Sequence, residues 1–186
     1  NAQLEDVKFL GNTELYKTNF SKATMPRATL ENLDIHQANF EDANLIESNL
    51  TGANLNQANF KNASLQDALM NNTDLRGANL NNANLTASNL NNAKFSTKTK
   101  LLNVKLDKAT LENTNISNNN LVEYRYILRK YYNTSSAIDA SFKESNLSNS
   151  NLENIDFTGS NFIRTNLSES SLKNANVSQA DFSLSN

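Results

Sequence analysis

The sequence predicts an all-β solenoid of narrow stacked coils, and two periodic features of the chain support this. First, every fifth residue from Leu15 to Phe95 is apolar. A period of five fits neither an amphipathic helix, with its period of about 3.6, nor a strand, with a period of about two. Second, the residue two positions before each apolar one is nearly always alanine, serine or threonine. Self-similarity at a fixed period is typical of repeat proteins, in which each unit stacks on its neighbours.

Each five-residue unit supplies one bulky and one small side chain to the predicted coil interior. The bulky positions are Leu15, Phe20, Met25, Leu30, Ile35, Phe40, Leu45, Leu50, Leu55, Phe60, Leu65, Met70, Leu75, Leu80, Leu85, Leu90 and Phe95. The small residue turns inward where nothing larger fits, and the other three positions face water. Asn or Asp commonly lies between the two, as in Ala43-Asn44-Leu45. We expect stacked Asn side chains to form ladders along the coil axis and to satisfy backbone groups at the turns.

These units resemble the pentapeptide repeat proteins, whose repeat is A(D/N)LXX. Ala-Asn-Leu-Asn-Gln at 53–57 and Ala-Asn-Leu-Asn-Asn at 78–82 match it position by position. The resemblance implies a right-handed quadrilateral parallel β-helix with four pentapeptides to a coil. Residues twenty apart would then stack, and phenylalanines recur at that spacing in two tracts. They are Phe20, Phe40 and Phe60, and Phe142, Phe162 and Phe182.

Breaks in the five-residue register divide the chain into tracts, within what is predicted to be a single domain over residues 1–186 with about eight coils. One extra residue separates the early pair Leu4 and Phe9 from the Leu15 series, and another lies within 96–100. We interpret both as bulges at corners of the coil. The apolar series continues from Leu101 to Leu121 and again from Phe142 to Phe182.

Residues 122–136 do not follow the repeat and are predicted to be a short helical or loop excursion. Four of the five tyrosines fall here, together with three basic residues. Tyr and Arg are enriched in protein–protein hot spots, so this segment is the candidate interaction site. A structural clasp that covers the coil with Ile127 and Leu128 is an equal alternative. The candidate residues are Tyr124, Arg125, Tyr126, Arg129, Lys130, Tyr131 and Tyr132.

Composition argues against several kinds of chemistry. The chain has no Cys, which excludes disulfides, thiolate metal sites and a Cys nucleophile. Nineteen acidic and seventeen basic residues leave a net charge of −2, which disfavours direct binding of nucleic acid or of an anionic membrane. No apolar run approaches the roughly 20 residues of a membrane span. We therefore predict no cofactor, no metal and no membrane partner.

Catalysis has little support among the titratable residues. His36 is the only histidine and is expected to be an ordinary surface residue, since no second imidazole or thiol could join it. The outward carboxylates are expected to be solvated, because a convex wall offers no pocket that would shift their pKa values. They are Asp34, Glu41, Asp42, Glu47, Asp67 and Asp74. An enzyme is the least supported of the hypotheses.

The preferred hypothesis is a non-enzymatic interaction scaffold. The resemblance implies a recruitment or recognition domain of a larger bacterial protein, such as an effector ubiquitin ligase with a HECT-like catalytic part. The expected location is the bacterial cytoplasm, or the host cytosol for a secreted effector. Because Leu4 and Phe182 lie in repeat register near the two ends, we expect an end-to-end homodimer or flanking domains to cover the coil ends.

The alternative hypothesis is DNA mimicry. The resemblance includes proteins that copy the shape and charge of duplex DNA, bind gyrase and protect it from quinolones. B-DNA carries one charge per about 1.7 Å, so a mimic needs a dense acidic surface. The segment from Ala78 to Ala93 contains no charged residue at all. This uncharged stretch makes mimicry the weaker of the two.

Overall fold

The computed structural model describes residues 2–11, 13–96, 98–101, 104–111, 114, 135–137 and 140–186. Over these residues the backbone winds into stacked coils, and none of them is helical. Two short strands, β1 (Ser135–Ser136) and β2 (Ile155–Asp156), pair in parallel. Elsewhere single-residue parallel bridges join each coil to the next, mostly at a spacing of twenty residues. The predicted right-handed quadrilateral β-helix is confirmed.

Four rows of bridging residues define four faces of the coil, numbered in chain order. Face 1 carries Asn19, Asn39, Asn59 and Asn79, and face 2 carries Thr24, Asn44, Ser64 and Asn84. Face 3 carries Thr29, Asn49, Leu69 and Asn89, and face 4 carries Asp34, Asn54, Asp74 and Lys94. Two-residue turns join the faces. Corner 4 denotes the turns from face 4 to face 1, at residues 16–17, 36–37, 56–57 and 76–77.

Each corner depends on one residue in the left-handed backbone region. The amide of the small residue donates to the carbonyl of the preceding bulky residue, as Ala43 does to Phe40 at 3.0 Å. The residue just before the small one has φ between 53° and 61° wherever it is not glycine. Such a φ at the third turn residue is typical of a type II turn. Asn, Asp and Gly tolerate it best, which accounts for their frequency at this position.

We expect opposite stability effects from two substitutions at these left-handed positions. Gly52 has φ 66°, and an added Cβ would approach the Asn32 amide oxygen to 2.2 Å, so Gly52→Ala should cost about 1 kcal/mol. The exposed Ala87 already has φ 59°, so Ala87→Gly should stabilise the protein by about 0.5 kcal/mol. Urea unfolding of the two variants measures both effects. A change of the same sign in the unfolding free energy of both variants would contradict the assigned turn geometry.

Phenylalanine stacks form the central part of the core. Phe40 is fully buried, and its ring lies 5.0 Å from that of Phe20 and 4.8 Å from that of Phe60, nearly parallel to both. In the later tract Phe162 stacks on Phe142 at 4.8 Å and on Phe182 at 4.6 Å. These contacts confirm the prediction that phenylalanines twenty residues apart stack.

The small inward position is more permissive than the sequence pattern indicates. Ala38, Ala58 and Ala78 stack there without exposed surface. Serine and threonine also fit, because their hydroxyls donate to backbone carbonyls, as Thr73 does to Met70 at 2.7 Å. Leu33 and Ile155 occupy the same position and are buried as well. The prediction that nothing larger than a small residue fits there is therefore wrong at these two positions.

The predicted asparagine ladder is confirmed on face 1. Asn59 donates its amide to Asn39 at 3.1 Å, and Asn79 donates to Asn59 at 3.1 Å. The same Oδ1 atoms accept backbone amides two residues later, as Asn39 does from Glu41 at 3.1 Å. One side chain thus links two coils and satisfies a turn amide. The asparagine content of the chain has this structural use.

The register breaks lie at corners, as predicted. Gln3 and Lys8 bridge to residues 21 positions later, as does Asn79 with Lys100, so each break adds one residue. The predicted end of the excursion at residue 136 is wrong, because Ser135 and Ser136 already pair with β2. Ala137, buried in the next core position, carries too little apolar surface to signal that the coil has resumed.

Candidate interaction site

The predicted interaction residues belong to the segment 115–134, which lies outside the described residues. This holds for Tyr124, Arg125, Tyr126, Arg129, Lys130, Tyr131 and Tyr132 and for the helix or loop predicted there. The structure does describe the two points at which this segment joins the coil. Those points fix where the segment begins and ends on the surface.

Both ends of the segment are held by the coil. Thr114 lies on face 4, where its carbonyl accepts the amide of Asn151 at 3.1 Å and its hydroxyl donates to Leu111 at 2.6 Å. Ser135 lies on face 1, paired with Ile155. The described chain therefore stops at face 4 and resumes at face 1, the two faces that a corner 4 turn joins in the earlier coils.

The length of the segment can be read from the bridges that span it. Lys105 pairs with Ser141 and Thr110 with Asn146, at 36 residues rather than 20. The segment thus adds sixteen residues to one coil and returns the chain to the same face and phase. An insertion of this kind changes the surface without altering the core that the coils share.

The one-residue bulge in the preceding coil also lies at corner 4. The hydroxyl of Thr99 is buried, donates to the Leu75 carbonyl at 2.9 Å and accepts the Ser96 amide at 3.1 Å. The amide of Gly77 donates to the Ser96 hydroxyl at 3.0 Å. Side-chain hydroxyls thus replace the backbone bonds that the extra residue displaces. These hydrogen bonds tie the described residues of the bulge to the coil before it.

One coil further from the segment, Arg76 and Asp74 form an ion pair at corner 4. The guanidinium donates to the carboxylate from Nε at 2.9 Å and from Nη2 at 2.5 Å. This hydrogen bond holds the pKa of Asp74 below its usual range, against the opposing effect of burial. Asp74 Oδ1 also accepts the backbone amide of Arg76 at 3.1 Å.

Asp74→Asn should lower stability at neutral pH and leave it unchanged in acid. Asparagine keeps the acceptor for the Arg76 amide but loses the charge pair. Because the folded-state pKa of Asp74 is depressed, its contribution is present above the usual value of 3.8 and disappears as the pH falls through the folded-state pKa. The measurement is the urea midpoint from pH 7 to pH 2. In an Arg76→Gln background the substitution should have little further effect.

At the first two corner 4 turns along the chain, three side chains form a stacked and hydrogen-bonded group. The rings of Tyr16 and His36 stack with centroids 4.3 Å apart and planes 27° apart. His36 Nδ1 lies 2.6 Å from Asp34 Oδ1, which also accepts the Asn54 amide at 2.8 Å. His36 lies on the outside of the coil, and these contacts hold its ring in place.

Two predictions about the carboxylates are corrected by these contacts. The pKa of Asp34 is lowered, chiefly by the hydrogen bond with His36, and that of Asp74 is lowered by Arg76. The expectation that nothing on the wall shifts a carboxyl pKa is thus wrong, because neighbouring donors do so without a pocket. The wall is also not uniformly convex. A groove of about 520 Å³ opens beside Tyr16 and is lined by Gly11, Thr13, Glu14, Tyr16, Asp34 and His36.

The coil and its four stacked faces define a right-handed β-helical repeat protein. A family model for the pentapeptide repeat region matches residues 2–80, and a second, for pentapeptide repeats in eight copies, matches residues 150–186. Together they take in more than half of the chain. The chain belongs to the pentapeptide repeat family.

Solved structures of this family have the same fold. HetL, a pentapeptide repeat protein involved in heterocyst differentiation regulation from the cyanobacterium Nostoc sp. strain PCC 7120, matches with a TM-score of 0.65 at 21% identity, over 98% of this chain and 84% of HetL. QnrB1, a plasmid-mediated fluoroquinolone resistance protein, matches with a TM-score of 0.65 at 13% identity, over 100% of this chain and 84% of QnrB1. At these identities the likeness concerns the fold. None of the curated proteins compared matches the sequence.

The described residues contain no group of three or more His, Cys, Asp or Glu side chains placed to hold a metal ion. In the same part of the chain, no helix is long and apolar enough to cross a membrane.

Proposed function

We propose that this chain is a non-enzymatic scaffold that presents the segment 115–134 to a partner protein. The observation that carries the proposal is the position of this segment. Both of its ends are anchored in paired coil, at Thr114 and Ser135, while its sixteen extra residues serve no repeat. A segment fixed at both ends loses less conformational entropy on binding than a free tail.

The composition of the segment supports a protein partner. It holds four of the five tyrosines in the chain and both Arg125 and Arg129. Tyr and Arg are the residues that most often supply binding energy at protein interfaces. On face 1 of the coil, by contrast, the outward side chains are asparagines already engaged in a ladder, as Asn39 and Asn59 are. The finer proposal is a recognition domain of a larger bacterial protein, such as a HECT-like effector ubiquitin ligase.

The distribution of charge supports this proposal over DNA mimicry. Residues 94–108 contain five lysines against one aspartate. Lys94, Lys100 and Lys105 stand on the bridging rows of three successive faces. They place cations where a mimic of duplex DNA requires an unbroken series of negative charges. Acidic residues elsewhere are partly neutralised, since Lys61 pairs with Glu41 at 3.3 Å.

Deletion of residues 119–134 tests the proposal. It removes all seven candidate residues and exactly offsets the sixteen-residue insertion, leaving Ser117 and Asn118 as an ordinary corner 4 turn. Asn suits the left-handed turn position. We expect the variant to keep the β-helix by circular dichroism and to lose partner binding.

Photo-crosslinking in the source cells provides the binding measurement. A benzoyl-phenylalanine at Tyr126 or Tyr131 should link the chain to one partner protein, whereas the same probe at the exposed Leu69 on face 3 should not. Crosslinks to the same partner from both the segment and Leu69 would contradict the proposal. Binding of that partner by the deletion variant would contradict it as well. A gyrase supercoiling assay in which the chain relieves quinolone inhibition would favour DNA mimicry instead.

A further inference from the structure

We infer that the groove beside Tyr16 is a binding site for an arginine side chain of a partner protein. The site is distinct from the segment 115–134. It is lined by Gly11, Thr13, Glu14 and Tyr16 together with Asp34 and His36 of the next coil. The groove occurs where the extra residue between Lys8 and Asn19 interrupts the regular face.

The walls of the groove are rich in hydrogen-bond acceptors and carry negative charge. Glu14 is exposed, and no cation pairs with it within the described part of the chain. Asp34 uses Oδ1 for His36 and Asn54, and its second oxygen remains available. The hydrogen bond with His36 holds the pKa of Asp34 below its usual range, so this carboxylate is charged at neutral pH. Two carboxylates that line one groove attract a cation and repel phosphates and other anions.

The aromatic pair restricts the kind of cation. Tyr16 remains 46% exposed although its ring stacks on His36 at 4.3 Å. Its ring also accepts a cation in this structure, because the ammonium of Lys17 lies 4.6 Å from the ring centroid. A guanidinium is planar, stacks on aromatic rings and forms paired hydrogen bonds with a carboxylate. Arginine therefore offers Glu14 paired hydrogen bonds and the Tyr16–His36 stack a planar face, whereas lysine offers either group only a point charge.

The residues required for this site belong to two successive coils. Glu14 and Tyr16 come from one, and Asp34 and His36 from the next. Lys17 donates its backbone amide to the His36 carbonyl at 3.1 Å, which fixes the spacing of the two coils. The site is thus formed before any ligand binds, so little ordering cost is paid on binding.

The test is an NMR titration of the full chain with acetyl-Gly-Arg-Gly-amide at low salt. We expect saturable shifts confined to Gly11, Thr13, Tyr16 and His36. Glu14→Gln should weaken binding about tenfold, and Tyr16→Ala should weaken it as well. Glu169→Gln, which makes the same charge change at an exposed corner, should leave the affinity unchanged.

Matched peptides decide between a guanidinium site and a general cation surface. The lysine peptide should bind several-fold more weakly than the arginine peptide, and the uncharged citrulline peptide should not saturate. Equal binding of arginine and citrulline peptides, equal effects of Glu14→Gln and Glu169→Gln, or shifts spread along the coil would each overturn the inference. Because the deletion of 119–134 retains this groove, the two proposals fail independently.

Discussion

Replacing Phe40 with alanine is expected to cost about 3–5 kcal/mol of unfolding free energy. Phe40 is fully buried and its ring contacts a parallel ring on each side, those of Phe20 and Phe60. Truncation removes both stacking contacts and leaves a cavity between coils whose backbone bonds prevent collapse. The measurement is urea unfolding, with amide hydrogen exchange in the coils of Phe20 and Phe60 as a local probe.

Phe182→Ala provides the matched control for this prediction. Phe182 stacks on Phe162 with similar geometry, at 4.6 Å and 3°, but it is only partly buried and has one ring neighbour. We expect a cost of about 1–2 kcal/mol, since less apolar area is lost and solvent can fill the space. In a repeat protein each coil is stabilised by its neighbours, so an inner coil should matter more. Equal costs for the two variants would contradict this view of the core.

The fold could be predicted because the repeat length of the coil is visible as a period in the sequence. A period of five with phenylalanines twenty apart leaves little freedom once four units form a coil. The bridges from Asn39 to Asn59 and from Asn59 to Asn79 repeat that spacing in space. The asparagine ladder followed from the same periodicity, because identical side chains placed in register can bond to one another.

The left-handed corner residue was not predicted, although a signal was present. Asn32, Gly52 and Asn62 occupy this position and each tolerates a positive φ. Lys17 and Glu47 adopt the same left-handed conformation, so the preference for Asn, Asp and Gly at this position is incomplete. Other residues can occupy the position because the backbone hydrogen bonds of the coil on either side offset the energetic cost of a positive φ. Composition at a single repeat position therefore underestimates how strictly the backbone is specified there.

The groove at corner 4 was missed for two different reasons. Tyr16 and His36 are twenty residues apart, so the coil period alone could have paired them. The contribution of Gly11 and Thr13 could not have been found in this way. They lie in the register break before the Leu15 series, where an extra residue removes the periodic relation between sequence and position.

The ends of the inserted segment show a similar limit of sequence patterns. Ser135, Ser136 and Ala137 occupy the small, bridging and core positions of one repeat unit, and all three are small residues. Without a bulky side chain at the core position, such a unit cannot be told from a loop. Only its pairing with Ile155 and Asp156 places it in the coil.

Deleting residues 117–134 rather than 119–134 is expected to unfold or misregister the C-terminal tract. The two deletions differ only in Ser117 and Asn118, the two residues of the restored corner 4 turn. Without them one coil is two residues short. Either the turn is lost or every residue of the last tract moves by two positions, which places polar residues in the column now filled by Phe142, Phe162 and Phe182.

Amide hydrogen exchange of residues 140–186 measures this effect. The shorter deletion should keep protection near that of the intact chain, while the longer one should lower it by at least about a hundredfold, because an uncompensated loss of several kcal/mol in the core is expected. The N-terminal coils around Phe40 should remain protected in both variants, since each coil depends mainly on its neighbours. Equal protection in the two variants would show that the C-terminal tract does not require a twenty-residue phase with the coils before it.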